Sequence, residues 1–287
     1  MKLSGIFAAV TTPFDHNGDI YRTKIEHNLM RWSATSLAGY LVGSSAGEGF
    51  LLAFDEKILV WELTAKYAGS DRTLIADVSV EGVREAAALA CRAAQLGYHA
   101  VCARAPSHYE HATQIDEWRA LFFRALADRS PVPLIVSGYG SWMSQVSRHP
   151  NICGVVLNGN AQPPIQQVLA DAHEGFQVLV GSVAHLWTSL KDGAHGAILP
   201  FAAAAPYAAI ALWEAFRTRE EEAGLDWQDR IRQPGRLVEE IYHVPGLKHA
   251  MDLNGYYGGP PRLPLTPISA GAQDEIAKAF DGFSGKT

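Results

Sequence analysis

The chain has 287 residues, 48% hydrophobic and 19% charged, with a formal net charge of −6. This is ordinary globular composition, and the mild acidity, without any basic run of five or more, argues against a nucleic-acid surface. The N-terminal apolar run up to Thr11-Thr12-Pro13 and the alanine-rich run at 202–211, broken by Pro206, are each too short to span a membrane, and the N-terminus lacks the shape of a signal peptide. Short apolar runs then alternate with helical patterns from end to end. Strands are expected at 5–11, 39–42, 73–78, 99–103, 132–136, 152–157, 176–180 and 195–199. Helices are expected at 24–32, 56–67, 83–96, 114–127, 164–173, 184–191 and 207–217. The connection at 138–150 is unusually short for a parallel crossover. Near-continuous apolar strands suit a sheet covered on both faces. Eight β-α units in about 220 residues therefore predict a single (β/α)8 TIM barrel of the α/β class. After about residue 220 the pattern turns to helices only, at 236–243, 248–253 and 269–280, interrupted by Pro260-Pro261. The expected organisation is a barrel at 1–220 and a helical tail at 221–287 packed on one flank, as one domain.

Cys91, Cys102 and Cys153 are odd in number, form no C-x-x-C pair and sit in apolar surroundings. They read as reduced core residues of a cytoplasmic protein, not as disulfide or zinc ligands. His16, His108, His111 and His185, with Glu48 or Asp77, show no compact ligand spacing, so no metal is expected. No G-x-G-x-x-G follows the first strand and no serine lies in a G-x-S-x-G elbow, which argues against a dinucleotide cofactor and a hydrolase triad. No cofactor is expected.

The stretch with most chemistry is Val42-Gly43-Ser44-Ser45-Ala46-Gly47-Glu48-Gly49, a turn from the second strand toward the second helix. Glycine and serine leave its backbone accessible, and its peptide N–H groups are expected to converge on an anion. In a barrel the active site lies at the C-terminal strand ends. The positions to weigh are Thr11-Thr12, Ser44 to Glu48, Ser79, Pro106 to Tyr109, Ser137 to Tyr139, Leu157-Asn158, Gly181-Ser182 and Leu199-Pro200.

Several turns resemble one family in order. Ala9-Val10-Thr11-Thr12-Pro13-Phe14 resembles its A-x-x-T-P-F opening, and Gly43 to Glu48 its G-[ST]-[ST]-G-E turn. Arg104-Ala105-Pro106-Ser107-His108-Tyr109 resembles its P-x-Y-Y turn. Pro150-Asn151-Ile152-Cys153-Gly154-Val155 and Gly193-Ala194-His195-Gly196-Ala197-Ile198 resemble its sixth and eighth strands. Lys248 to Gly255, with Arg262-Leu263-Pro264-Leu265, resembles its C-terminal signature. The chain thus resembles the dihydrodipicolinate synthase / N-acetylneuraminate lyase group of class I aldolases. The resemblance implies chemistry on 2-oxo acids through a Schiff-base lysine at the end of strand six. It also implies dimers, often paired into tetramers.

The chemical positions depart from the pattern. Val156 stands where the resemblance places the lysine, and Ser137 where it places the strand-five tyrosine, with Tyr139 two residues on. His108 stands at the tyrosine that the resemblance has a neighbouring subunit contribute, beside Tyr109. Ala46 replaces the second hydroxyl of the carboxylate-binding turn, while Ser45 keeps the first. Lys191 and Lys248 are not expected to reach the mouth. Glu48 is expected to brace the turn, and Arg262 to anchor the tail. No catalytic residue is assigned. The expected ligand contacts are Ser45, Ala46, Gly47, His108, Ser137, Tyr139 and Val156. The residues favour a barrel without class I aldolase activity that keeps a pocket for a small carboxylate or 2-oxo acid. The alternative is a lyase acting on a 2-oxo acid by a route without a Schiff base.

Overall fold

The computed structural model describes residues 1–108, 110–158 and 163–283. Eight parallel strands close into a barrel in sequence order: β1 (Gly5–Val10), β2 (Gly39–Val42), β3 (Thr73–Asp77), β4 (Ala100–Arg104), β5 (Leu134–Ser137), β6 (Ile152–Leu157), β7 (Gln177–Val180) and β8 (Gly196–Leu199). β8 pairs with β1 through Gly5↔Gly196 to Ala8↔Leu199, so no edge is left. Most strand residues are buried, as a sheet enclosed between a packed interior and a helical ring requires. The barrel expected from the alternation is the barrel observed.

The outer layer runs α1 (Arg22–Ser33), α2 (Phe54–Tyr67), α3 (Val83–Gln95), α4 (Ile115–Ala127), α5 (Met143–Val146), α6 (Ile165–Ala170), α7 (Leu186–Lys191), α8 (Phe201–Ala204) and α9 (Pro206–Thr218). The short connection between β5 and β6 holds only the one-turn α5. Trp142, at its start, is buried and stacks on Phe123 of α4 with ring centroids 4.9 Å apart, filling space a longer helix would occupy. α6 stops at Ala170, short of the expected 173, because the chain turns there toward Gly175 at φ +88°. His173 then bonds the Ile152 carbonyl through Nε2 (3.0 Å).

The C-terminal segment differs more from expectation. α10 (Glu221–Arg236) is a 16-residue helix that the sequence pattern did not separate out. Glu220-Glu221-Glu222 is its start, where acidic side chains suit the positive end of the helix. A π-helical turn follows at Leu237–Ile241, closed by the Tyr242 N–H on the Leu237 carbonyl (2.8 Å). α11 (His243–Leu253) and α12 (Ala270–Ala279) complete the tail. Ile231, Leu237, Leu247, Met251 and Ile276 join the barrel residues in one hydrophobic cluster. Gln228 of α10 donates to the Val183 carbonyl (2.8 Å) and accepts from the Trp187 N–H (2.8 Å), tying the tail to the loop after β7. The tail was expected on a flank, yet it also reaches the mouth, because the π turn carries Glu239 and Glu240 over the ends of the strands. Among the described residues no helix is long and apolar enough to cross a membrane.

Candidate active-site cavity

The C-terminal strand ends surround an open cavity of about 670 Å³. Ala9, Leu41, Val156 and Ile198 give it an apolar interior. Polar groups reach it from the turn after β2 (Ser44, Ser45), from β3 and β4 (Asp77, Ser79, Arg104), and from β5 and β6 (Ser137, Asn158). The tail adds Glu239, Glu240 and His243.

The turn after β2 is closed on itself. The N–H groups of Gly47 and Gly49 both donate to the Ser44 carbonyl (2.9 and 3.0 Å), and that of Glu48 donates to the Ser45 carbonyl (3.1 Å). These three amides therefore do not point at the cavity, which leaves only the opening half of the turn for the expected convergence on an anion. What the turn presents is its opening half, Ser44 to Ala46. Gly47 lies behind it: an added Cβ would stand 2.9 Å from the Val10 carbonyl oxygen, and its own carbonyl accepts from the Thr12 hydroxyl (2.6 Å). Its glycine is required by close backbone approach, not by a ligand.

Glu48 is fully buried with φ +55°. Its carboxylate forms an ion pair with the Lys248 ammonium (2.6 Å) through one oxygen and accepts from the Arg262 N–H (2.7 Å) through the other. Lys248 also donates to the Pro260 carbonyl (2.9 Å). Burial pulls the Lys248 pKa down, and the Glu48 charge opposes that shift. Arg262 forms a bidentate pair with Glu56 (2.7 and 2.6 Å) and donates to the Gly18 carbonyl. Together these groups bolt the tail to the turn, away from the cavity.

Across the mouth, Asp77 ends β3. Burial pushes its carboxyl up to about 6, against the hydrogen bonds from Ser79 and the charges of Lys57 and Arg104. One carboxylate oxygen accepts from the Ser79 N–H (2.9 Å). The Ser79 hydroxyl in turn accepts from the Arg104 N–H (2.9 Å), which couples the two strand ends. The Arg104 guanidinium is half exposed, 3.5 Å from Glu81. Cys102 faces Asp77 across the β3–β4 register, and burial raises its thiol well above the usual range.

On the next strands, Ser137 accepts from the Asn158 amide (2.9 Å). Asn158 fits because Gly181 leaves its space open: a Cβ there would fall 1.9 Å from the Asn158 oxygen. Val156 lies between them and lines the cavity. Among the described residues, none that lines the cavity is a lysine. Lys57 and Lys248 are buried elsewhere, and Lys191 pairs with Glu221 outside the barrel. Nor does any group of three or more His, Cys, Asp or Glu side chains among the described residues have the arrangement of a metal site.

Glu239 closes the side toward the tail. Its carboxylate accepts from the Ser182 hydroxyl (2.8 Å) and the Val183 N–H (2.9 Å) through one oxygen, and from the Phe201 N–H (3.2 Å) through the other. Burial still dominates and pushes its carboxyl up to about 7.

The model of the dihydrodipicolinate synthetase family matches residues 2–282. The chain belongs to this family. It is 26% identical to a 4-hydroxy-tetrahydrodipicolinate synthase from Exiguobacterium sp., over 98% of both chains. It is 28% identical to an N-acetylneuraminate lyase from Rhizobium meliloti, over 93% of this chain and 91% of that one. Among solved structures, a dihydrodipicolinate synthase from Bacillus anthracis superposes with a TM-score of 0.91 at 20% identity, covering 98% of this chain and 99% of that one.

In this member of the dihydrodipicolinate synthetase family, Ser45, Ala46, Ser137 and Val156 line one cavity, but Gly47, His108 and Tyr139 do not. Gly47 is turned toward β1. His108 lies on an exposed loop whose N–H is held by Glu81 (3.0 Å). Tyr139 is carried outward on the loop after Gly138, whose φ is +103°. Neither Tyr139 nor Trp142 plugs the mouth. Tyr109 lies outside the described residues. Sequence reasoning missed Arg104, Glu239, Glu240 and His243, and weighed Asp77 only as a metal ligand. A carboxylate ending an otherwise apolar strand was the signal for Asp77. Glu239 gave none, because its partners lie 38 to 57 residues away.

Proposed function

We propose that this family member binds a small carboxylate or 2-oxo acid in the barrel mouth and does so without class I aldolase chemistry. The observation that carries this reading is Val156. It occupies the position to which the resemblance assigns the Schiff-base lysine, its side chain faces the cavity, and no described cavity residue supplies another primary amine. A Schiff base requires such an amine. The cavity itself is open and polar on several sides, which supports ligand binding. Ser45, Ala46, Ser137 and Val156 are the proposed contacts from the sequence reading, with Asp77 and Arg104 added by the geometry. We place the protein in the cytoplasm, as a homodimer or homotetramer with barrel and tail acting as one domain; the shared hydrophobic cluster supports the last point.

Borohydride reduction with pyruvate, followed by mass spectrometry, tests the chemistry. The expected result is no specific adduct, and a stoichiometric adduct mapped to any lysine overturns the reading. Calorimetry against pyruvate, 2-oxoglutarate and sugar acids tests the binding, which fails if none binds at millimolar concentration.

A second reading, a lyase acting on a 2-oxo acid by a lysine-independent route, is favoured by Asp77. It is a buried carboxyl on the cavity wall whose pKa of about 6 suits proton transfer near neutral pH. Solvent deuterium exchange at C3 of pyruvate, catalysed by the wild type and lost in Asp77→Asn, would select this reading over simple binding.

A further inference from the structure

Beside the polar mouth lies a second cavity of about 300 Å³ between the barrel rim and the tail. Its own lining is apolar: Val238, Val244, Leu247 and Leu265. Ser45, Ala46, Phe50, Pro200, Glu239 and His243 line both cavities, so the two adjoin along a seam that includes Ser45. Phe50 stands on the rim, 62% exposed, and Leu265 is half-buried.

The backbone that shapes this annex breaks two local rules. The π turn at Leu237–Ile241 inserts an extra residue per turn, and His243 just after it takes φ +46°. π turns and left-handed non-glycine residues cost energy, and they recur at ligand sites where the surroundings enforce them. Here both fall on the seam. They place Val238 and Val244 on the annex wall and Glu239 and His243 between annex and mouth.

We infer that the annex is the binding site for an apolar tail, and that the ligand class of this protein is a carboxylic acid bearing an aliphatic or aryl chain. The inference rests on the carboxylate reading above for the head group and on the annex for the tail. A carboxylate at Ser45 has its polar end at the seam, and the apolar residues of the annex lie directly beyond the residues the two cavities share. The annex is a small concavity adjoining the mouth, whereas a second protein chain needs a surface of several hundred Å². Removing apolar surface from water in such a space gives a gain proportional to the chain buried.

The test is titration calorimetry on the full chain with 2-oxo acids of rising length, from pyruvate to 2-oxooctanoate, together with phenylpyruvate and 1-octanol. Affinity is expected to rise about fourfold for each methylene until the annex is filled. Phe50→Ala and Leu265→Asp are expected to flatten that slope; Phe50 is exposed enough that its removal leaves the core intact. A flat series in the wild type, with pyruvate still binding, overturns the annex and leaves the carboxylate reading standing. Binding of 1-octanol that depends on Leu265, with no acid bound at any length, supports the annex and overturns the carboxylate reading. A dimer that Leu265→Asp dissociates, with the length dependence unchanged, makes this face an interface between copies and overturns the inference.

Discussion

At the turn after β2 the polar groups answer one another. Glu48 takes Lys248 and the Arg262 N–H, Arg262 takes Glu56, and the amides of Gly47, Glu48 and Gly49 fold back on Ser44 and Ser45. Across the mouth, at the ends of β3 to β6, Asp77, Arg104, Ser137 and Asn158 also have local partners, but unlike the Glu48 cluster they line the open cavity as well. Three of the stretches that carry the family resemblance, Gly43 to Glu48, Lys248 to Gly255 and Arg262 to Leu265, fall in the first region, where they hold the barrel to its tail. Val156 and Ser137, at which the resemblance places a lysine and a tyrosine, fall in the second. A framework of this kind keeps its shape through packing and paired charges, independent of the chemistry at the mouth, so family membership and activity are separable questions here.

The largest effect that tests this contrast is on stability. Lys248→Ala leaves the Glu48 carboxylate buried without its cation, which costs about 3–5 kcal/mol. Urea unfolding should show that loss. The pair Glu48→Gln with Lys248→Met should recover much of it, since removing both charges removes the uncompensated one. A cost below about 1 kcal/mol for Lys248→Ala would mean the ion pair is not what fixes the turn.

The next effect separates Glu239 from the paired groups. Its pKa is raised to about 7 from an ordinary 4.5, so the folded protein holds a proton that the unfolded chain has released. The destabilisation from its charge is absent below pH 4.5, grows as pH rises, and is complete above about 7. Glu239→Gln does not titrate. The variant should therefore gain on the wild type by about 2–3 kcal/mol between pH 5 and pH 8, read as the difference of their unfolding free energies. A difference that stays constant with pH would show that the three hydrogen bonds to Glu239 already offset its burial.

The same acids bear on ligand binding, with a smaller effect. Asp77 rises to about 6 and Glu239 to about 7, and both line the cavity. Protonation removes negative charge facing an anionic ligand. Carboxylate affinity should therefore strengthen several-fold as pH falls from 8 to 5. Asp77→Asn should remove the part of that change centred near pH 6. Affinity that is flat, or that weakens on acidification, would place the carboxylate away from both groups.

The barrel was legible because burial on both faces leaves β-strands as apolar runs, and the β-α alternation set their order. The mouth was legible at strand ends, as at Val156 and Ser137, and in the short turn directly after β2, as at Ser45 and Ala46. His108 and Tyr139 lie further along their loops, and no periodicity reports where a loop turns. Gly47 was misread because a glycine in a turn suggests an exposed backbone, while its missing Cβ in fact makes room for the Val10 carbonyl. Glu239 was invisible because the π turn rotates it off the regular helical face and its partners come from two distant loops.

The smallest effect sharpens the comparison most, because it asks what the closed turn still offers a ligand. With the amides of Gly47, Glu48 and Gly49 engaged internally, the side chains this turn gives the cavity are the hydroxyls of Ser44 and Ser45 and the Ala46 methyl. Ser45→Ala removes one donor and leaves its neighbour, so affinity for a small carboxylate should fall several-fold, on the order of one hydrogen bond to a charged group. Ser44→Ala together with Ser45→Ala should cost more than either alone, as calorimetry with pyruvate would report. If both hydroxyls can be removed without loss while Arg104→Gln abolishes binding, the carboxylate sits on the β3–β4 side. The turn after β2 would then serve only to hold the tail, and the division between its framework and the opposite wall would be complete.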